Sequence, residues 1–309
     1  MTSEGRRDAI TGAFGFTGRA LAEALLSGGR ELVTLSRRSG AGDPLAARLA
    51  AVKPLDFDRP SVLAAALEGV DTLYNTYWMR FPRGSRTFDD AVRESNVLFE
   101  AAAQAGVRRL VHVSVIGADE AGETPYVRAK GRLEAIVRSC GLRFSIVRPT
   151  LTYGPNDILI NNLAWALRRL PVYGIPGRGR YRIQPVHVED VARICVEAAA
   201  TEPGGTIDAA GPEALEYREL VALVRGSIRS RAIVLPMPTI AVLAAARVLG
   251  LLVGDVVLTR DELRELMSSL LTSSEPPLGR IRLSNWLPEH AGTLGLRWSS
   301  ELARNYRGG

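Results

Sequence analysis

Along the first part of the chain, short apolar blocks alternate with longer stretches in which apolar residues recur at helical spacing. A short apolar run reads as a buried strand, and helical spacing as one face of an amphipathic helix. Ala9-Ile10 closes a first strand, and Arg19 to Leu26 has the helical pattern that Gly28-Gly29 stops. Glu31–Ser36 is a second strand, Val52–Leu55 a third and Val70–Thr76 a fourth. Before the fourth lies a helix from Pro60 to Glu68, with proline suited to its first turn. A long helix over Ser85–Ala105 stops at Gly106, and Arg109–Ser114 is a fifth strand. A helix over Tyr126–Ser139 closes near Gly141, and Phe144–Pro149 is a sixth strand. This alternation predicts an α/β fold: a doubly wound parallel sheet with helices on both faces and right-handed crossovers.

From Thr150 the alternation weakens. Tyr173–Arg180 is rich in glycine and reads as a loop, and Pro185 opens a helix to about Ala200. Glu189 and Asp190 lie in its first turn, where negative charge suits the helix dipole. A strand near Thr206–Ala210 and a helix near Tyr217–Arg225 follow. The pattern divides the chain into a core over 1–150, completed by parts of 183–225, and a smaller, mostly helical C-terminal lobe within 151–309. Thr239 to Gly254 holds no charged residue except Arg247. It is shorter than the ~20 residues a bilayer span needs, so a helix packed into the protein is expected, with insertion into a membrane surface as the alternative. Thr259-Arg260-Asp261-Glu262 has the form of a capping box opening a helix to about Leu271, and Pro276-Pro277 ends that segment. Trp286, Leu287, Trp298 and Leu302 are expected to cover the core of the lobe.

Candidate chemistry begins where the first strand meets the first helix, at Thr11-Gly12-Ala13-Phe14-Gly15-Phe16-Thr17-Gly18. Glycines are needed where backbone turns tightly, approaches a pyrophosphate, or lets helix meet strand. Such a turn offers backbone N–H groups and a positive helix end to a phosphate. Gly12, Phe14, Gly15, Phe16, Thr17 and Gly18 are therefore candidate cofactor-binding residues. After the second strand of such folds, an acid binds the ribose 2′-OH, whereas arginine accommodates a 2′-phosphate. Here stand Arg37 and Arg38. NADP(H) is the preferred cofactor and NAD(H) the alternative.

The 309 residues carry a formal net charge of +6, from arginines spread without a dense basic run. That argues against a nucleic-acid partner, and an anionic dinucleotide would suit a positive pocket. The two cysteines, Cys140 and Cys195, show no disulfide framework or metal spacing, and no metal is expected. Met1 to Asp8 is polar and lacks the apolar core of a signal peptide, so a cytoplasmic location is expected.

Gly12-x-x-Gly15-x-x-Gly18, Asp56 after the third strand, Asn96 in the long helix, Tyr126-x-x-x-Lys130 and Arg148-Pro149-x-x-x-x-Gly154-Pro155 occur in that order. Pro185 to Ala192 adds a helix-opening motif. With these residues the chain resembles the short-chain dehydrogenase/reductase superfamily, in its extended or atypical branches, over roughly 8–225. The atypical branch includes proteins similar to the nucleotide-binding accessory subunit of respiratory complex I. The resemblance implies a Rossmann fold in which Asp56 meets the adenine amino group, with the Phe57 backbone beside it. It also implies that Asn75, Thr76, Tyr77 and Pro149 line the cofactor. Tyr126 is then the general acid/base, Lys130 holds the nicotinamide ribose, and Ser114 is the hydroxyl beside them. Elementary chemistry agrees with the pair. Residues four apart share a helix face. A nearby ammonium favours tyrosinate and lowers a pKa that starts near ~10.

One departure stands out. The superfamily's enzymes carry a Ser or Thr just beyond the fifth strand, often one or two places past Ser114, where this chain has Val115 and Ile116. Two readings follow. One is an oxidoreductase, or an epimerase or dehydratase using bound cofactor, acting on a small carbonyl or hydroxyl substrate. Tyr77, Trp78, Arg80, Asn161, Arg182 and His187 would surround that substrate and favour a hydrophobic or ring-containing carbonyl. The other is a non-catalytic NADP(H)-binding module that senses redox state or stabilises a partner, associated with a membrane surface. A monomer or a homodimer suits either.

Overall fold

The computed structural model describes residues 6–201 and 204–306. Residues 1–5, part of the polar opening used above to place the protein in the cell, lie outside the described residues. The early elements follow the apolar pattern: β1 (Arg7–Thr11), α1 (Phe16–Ser27), β2 (Glu31–Ser36), β3 (Ala51–Pro54), α2 (Pro60–Ala66) and β4 (Val70–Asn75). Next come α3 (Phe88–Gln104), β5 (Arg109–Val113), α4 (Pro125–Ser139) and β6 (Arg143–Pro149). The long helix starts at Phe88, three residues later than its apolar spacing suggests. Thr87 caps it, accepting from the Asp90 N–H while the Asp90 carboxylate accepts from the Thr87 N–H.

Beyond Pro149 the chain forms β7 (Leu151–Tyr153), α5 (Leu159–Arg169), β8 (Val172–Pro176), β9 (Arg182–Ile183), β10 (Pro185–His187), α6 (Val188–Ala200) and β11 (Gly205–Ala209). Pro185–His187 is a strand, not the opening of a helix, because it pairs in parallel with β7. Glu189 and Asp190 do occupy the first turn of α6. The remaining elements are β12 (Leu215–Glu216), α7 (Tyr217–Ser227), β13 (Ile233–Met237), α8 (Thr239–Val253), α9 (Arg260–Met267), α10 (Leu283–His290) and α11 (Glu301–Asn305). The expected capping box at Thr259 and Glu262 is present.

The chain divides into two compact units, one reaching Pro149 and taking up Val188–Ala209, the other formed by Thr150–His187 with the chain after Ala209. The first unit holds a seven-stranded parallel sheet in the order β11-β6-β5-β4-β1-β2-β3. Strand order reverses between β1 and β4, and ligands of open α/β sheets bind outside the carboxyl ends of the strands at such a switch point. Helices α2, α3 and α4 cover one apolar layer, with Leu63, Leu98, Phe99, Leu110, Leu133 and Ile146 at its centre. Helices α1 and α6 pack together.

In the second unit three short strand pairs, β7 with β10, β8 with β13 and β9 with β12, frame a core of α5, α7 and α10. Trp286 and Leu287 are buried there as expected. Arg168 and Arg169 donate to the carbonyls of Ala291, Leu294, Gly295 and Leu296 and so tie the C-terminal segment to α5. Asp255 accepts from the Trp298 indole at 2.9 Å and from the N–H groups of Glu301 and Leu302. That anchors α11 by its positive end. Helix α8 departs from expectation. It is not buried in the protein: Ala246 is its one buried residue, and half of its apolar side chains are exposed.

Gly131, in the middle of α4, marks a close approach. A Cβ there would collide with the backbone of Asp119 and Glu120. Alanine is the better helix former by about 1 kcal/mol, yet backbone cannot yield as a flexible side chain can. Gly131→Ala is expected to destabilise the protein by ~1–3 kcal/mol, measured as a lower urea midpoint at unchanged m-value. An unchanged or higher midpoint contradicts that packing.

Candidate active site

The site is built on the carboxyl ends of β1, β4 and β5. Gly12 follows β1 with φ of 69°, in the left-handed region that favours glycine. A Cβ on Gly18 would run into the Gly12 carbonyl, so α1 starts directly against the end of β1. Gly15 is the N-cap of α1, no side chain caps that end, and its first turn contains no acid. The first-turn N–H groups of any helix lack intrahelical partners. Those of Phe16, Thr17 and Gly18 are therefore offered to an anion, and this cradle fits a dinucleotide pyrophosphate. Phe14 is buried with its ring where a Cβ of Gly40 would sit, which closes the outer side of the turn.

Beyond the ladder that pairs β1 with β4, the Thr11 hydroxyl links their carboxyl ends. Thr11 Oγ1 donates to Asn75 Oδ1 at 3.0 Å and accepts from the N–H of Thr76 at 2.8 Å and of Tyr77 at 3.0 Å. Thr76 returns a bond from its Oγ1 to the Thr11 carbonyl at 2.6 Å. Because Asn75 Oδ1 accepts, its amide nitrogen donates to His112 Nδ1 at 3.1 Å, which places the imidazole proton on Nε2. His112 is buried, and burial, then the charge of Lys130, holds its pKa well below the usual range. It is neutral at physiological pH. Of the expected cofactor residues, Asn75 thus keeps its side chain in the sheet, while Thr76 and Tyr77 have their backbone fixed at the switch point.

The two arginines after β2 part ways. Arg38 Nη1 lies 3.4 Å from the Phe14 carbonyl, over the glycine turn. Arg37 turns to the Tyr77 hydroxyl at 3.0 Å and to Glu94 at 3.6 Å, over the rings of Phe57 and Tyr77. Arg86 holds the same Glu94 at 2.6 Å, and the Tyr77 hydroxyl donates to it. Burial, with Glu94 alongside, pushes the Tyr77 phenol up. Asp56 follows β3 and is half-buried, its carboxylate held low by Arg59 at 2.6 Å. Pro149 ends β6, and its carbonyl accepts from the Ile116 N–H at 3.0 Å.

Thr124 caps α4 and Pro125 opens it, which sets Tyr126 and Lys130 one turn apart. Lys130 is buried: its ammonium donates to the Val113 carbonyl at 3.3 Å and lies 4.2 Å from the centroid of Trp78. Tyr126 meets Trp78 and Phe88 edge-on, at 6.1 Å and 5.7 Å between centroids. Burial pushes Lys130 down to about 7, against the pull of Glu134, which favours its charge. One turn further on, buried Glu134 accepts from Ser114 Oγ at 2.7 Å, from Arg148 at 2.6 Å and from Arg138 at 3.0 Å. Burial opposes its charge, but Arg148 foremost and then Ser114 hold the carboxyl below its usual range. The structure therefore brings Tyr126, Lys130 and Ser114 onto one stretch of α4 and β5, with the Ser114 proton directed at Glu134.

Glu134 was not among the residues singled out from sequence, though it continues the four-residue spacing of Tyr126 and Lys130. Trp78 was expected beside a substrate, and the structure places its ring against the Lys130 ammonium, a contact across the fold that spacing does not show. Among the residues expected around a substrate, Asn161 has its amide bound to the Arg297 carbonyl, the Gly295 N–H and Ser299 within the second unit.

A glycine cradle at the switch point of a doubly wound sheet, with a tyrosine–lysine pair on the next helix but two, defines a dinucleotide-binding α/β protein. Residues 9–210 match the model of the NAD dependent epimerase/dehydratase family, and the chain belongs to that NAD(P)-binding family. It is 26% identical over 250 residues to NADH dehydrogenase [ubiquinone] 1 alpha subcomplex subunit 9, mitochondrial, of Arabidopsis thaliana, covering 77% of this chain and 62% of that one. The chain thus spans less than two thirds of that relative's length. Its fold resembles Citrobacter sp. triphenylmethane reductase complexed with NADP(H), at a TM-score of 0.74 and 16% identity over 93% of this chain and 99% of that one. It also resembles the NADPH-dependent quinone oxidoreductase QOR2 of Escherichia coli complexed with NADPH, at a TM-score of 0.74 and 19% identity over 92% and 98%. Both likenesses are of fold.

The lowered pKa of Lys130 has a consequence for stability. Its ordinary value is 10.5, so below about pH 7 the folded protein carries the full penalty of a buried charge, and the penalty is relieved as pH rises from there toward 10.5. Lys130→Met is expected to stabilise the cofactor-free protein near pH 6 by on the order of 2 kcal/mol, the Trp78 contact offsetting part of the burial cost. The gain should shrink toward pH 10 in denaturant titrations. A variant less stable than the parent at pH 6 contradicts it.

Proposed function

We propose that the protein is an NADP(H)-dependent oxidoreductase acting on a small carbonyl compound or the corresponding alcohol. The observation that carries this reading is the pairing of Tyr126 with buried Lys130 on one face of α4, against the carboxyl end of β5. A bound nicotinamide would supply or accept hydride. The chain's residues handle the proton. Tyr126 would hold it at its phenolic oxygen for transfer to the carbonyl oxygen. Lys130, ammonium in the presence of an anionic cofactor, would favour the tyrosinate left behind. Met79, Phe88 and the Trp78 ring around Tyr126 favour a substrate with an apolar or ring-containing body. For the cofactor, Arg38 is the arginine placed over the glycine turn, and it would meet a 2′-phosphate, while Arg37 is engaged by Tyr77 and Glu94.

One observation favours a second reading, a cofactor-binding module without turnover. Ser114 directs its proton to an ionised Glu134 and so cannot at the same time donate it to a substrate carbonyl. Where such a donor is used, its loss costs ~10²-fold or more in rate.

Titration with NADPH and NADH, followed by nucleotide fluorescence, should show tighter binding of NADPH. Arg38→Ala is expected to weaken NADPH about tenfold while leaving NADH unchanged. Equal affinities in the parent protein would remove the NADP(H) assignment. On a panel of quinones and aromatic ketones, Tyr126→Phe should lower kcat by ~10²-fold or more at nearly unchanged NADPH affinity. Tight NADPH binding with no panel member reduced would favour the binding module.

A further inference from the structure

We propose that α8 and the adjoining β8–β13 pair dock the protein onto an anionic lipid bilayer, with α8 lying in the plane of the interface. The proposal concerns the second unit and is independent of the reading of Tyr126 and Lys130. Leu251 is 81% exposed, Leu252 79%, Ile240 77% and Val248 59%. Helix α8 has 15 residues, and Ala246 is the one that is buried. A helix apolar all round is ordinarily buried in protein or in lipid; this one packs chiefly against β8. More apolar side chains are exposed on the strands beside it. Ile233 and Leu235 of β13 and Val172 of β8 are also exposed, and Ile233 stands opposite Val172 in the parallel register. Residues two apart in a strand share a face, so Ile233 and Leu235 form one apolar strip on the strand that pairs with β8, against which α8 packs.

Charge identifies the occupant. From 225 to 254 the chain contains four arginines, Arg225, Arg229, Arg231 and Arg247, and no acid. All four are exposed. Asp255, the next acid, is buried and bound to Trp298, Glu301 and Leu302. Leucine exposed beside unneutralised arginine is the pattern of an interfacial anchor: apolar groups enter the acyl boundary and cations meet anionic headgroups. A second copy fits less well, because two-fold pairing sets a patch against itself and would bring like-charged arginines together with no acid between them. A span is excluded by length. No described helix is long and apolar enough to cross a membrane, and α8 extends only about 22 Å against a hydrocarbon core of ~30 Å.

Flotation of the full chain with vesicles tests the proposal. The parent protein should float with phosphatidylcholine vesicles containing a minority of phosphatidylglycerol, and much less with phosphatidylcholine alone. Raised salt should weaken the binding. Leu251→Asp with Leu252→Asp, at positions that touch little of the protein, should reduce binding tenfold or more, by roughly the loss of two buried apolar side chains. Arg229→Gln with Arg231→Gln should reduce it by about fivefold per arginine on anionic vesicles. Thermal melts within a few degrees of the parent's would show that both variants fold, and the arginine pair remains a test should the leucine pair misfold. A parent protein that does not float with anionic vesicles overturns the proposal. So does flotation unchanged in both variants, or a vesicle-free dimer that the leucine substitutions dissociate.

Discussion

The Thr11 hydroxyl is the constraint on which the site depends. It is fully buried, it donates to Asn75 and it accepts from the N–H groups of Thr76 and Tyr77. It thereby extends the pairing of β1 and β4, the two strands between which the strand order reverses, past the end of their ladder. In an open α/β sheet the crossovers on the two sides of that point leave on opposite faces, so a crevice is opened there by topology alone. The clasp keeps its floor at a fixed width. Gly12 can then turn into α1, and the chain after Asn75 can leave with Tyr77 directed at Arg37 and Glu94.

Helix α4, packed against α3 and β6, is the second fixed element. Tyr126, Lys130 and Glu134 occur at successive four-residue steps and face three environments: the aromatic cluster of Trp78 and Phe88, the β5 carbonyl end, and the arginines Arg138 and Arg148. Glu134 is buried, and an unpaired charge there would be costly. Two guanidinium groups and the Ser114 hydroxyl satisfy it. Among the described residues Lys130 has one carbonyl and a ring face instead, and burial lowers its pKa, whereas Arg148 and Ser114 keep Glu134 ionised. The helix is thus held rigidly at one end and carries a titratable group near neutrality in its middle.

In the second unit polar anchors again fix the architecture. Arg168, Arg169 and Asn161 on α5 satisfy the backbone of residues 291–297, and Asp255 holds the start of α11. These contacts order a C-terminal segment whose helices are short. Helix α8 follows from a different balance. Its composition favours burial, but β8 covers only a narrow strip of it, so its apolar surface remains outside.

Sequence periodicity alone determined the strand–helix alternation, the parallel sheet, the glycine turn and the spacing of Tyr126 and Lys130. Those properties are local: a period of two or three to four residues, a capping residue or a glycine acts within a few positions. The sequence could not place Pro185–His187, because three residues become a strand only when β7 lies alongside. Nor could it separate Arg37 from Arg38, since Glu94 and Tyr77, which claim the former, come from elements far along the chain. Trp78 over Lys130, the commitment of Ser114 to Glu134 and the exposure of α8 were decided in the same way by the tertiary structure. Each depends on which surfaces remain uncovered once the sheet and its helices have packed, and burial is a property of the whole fold.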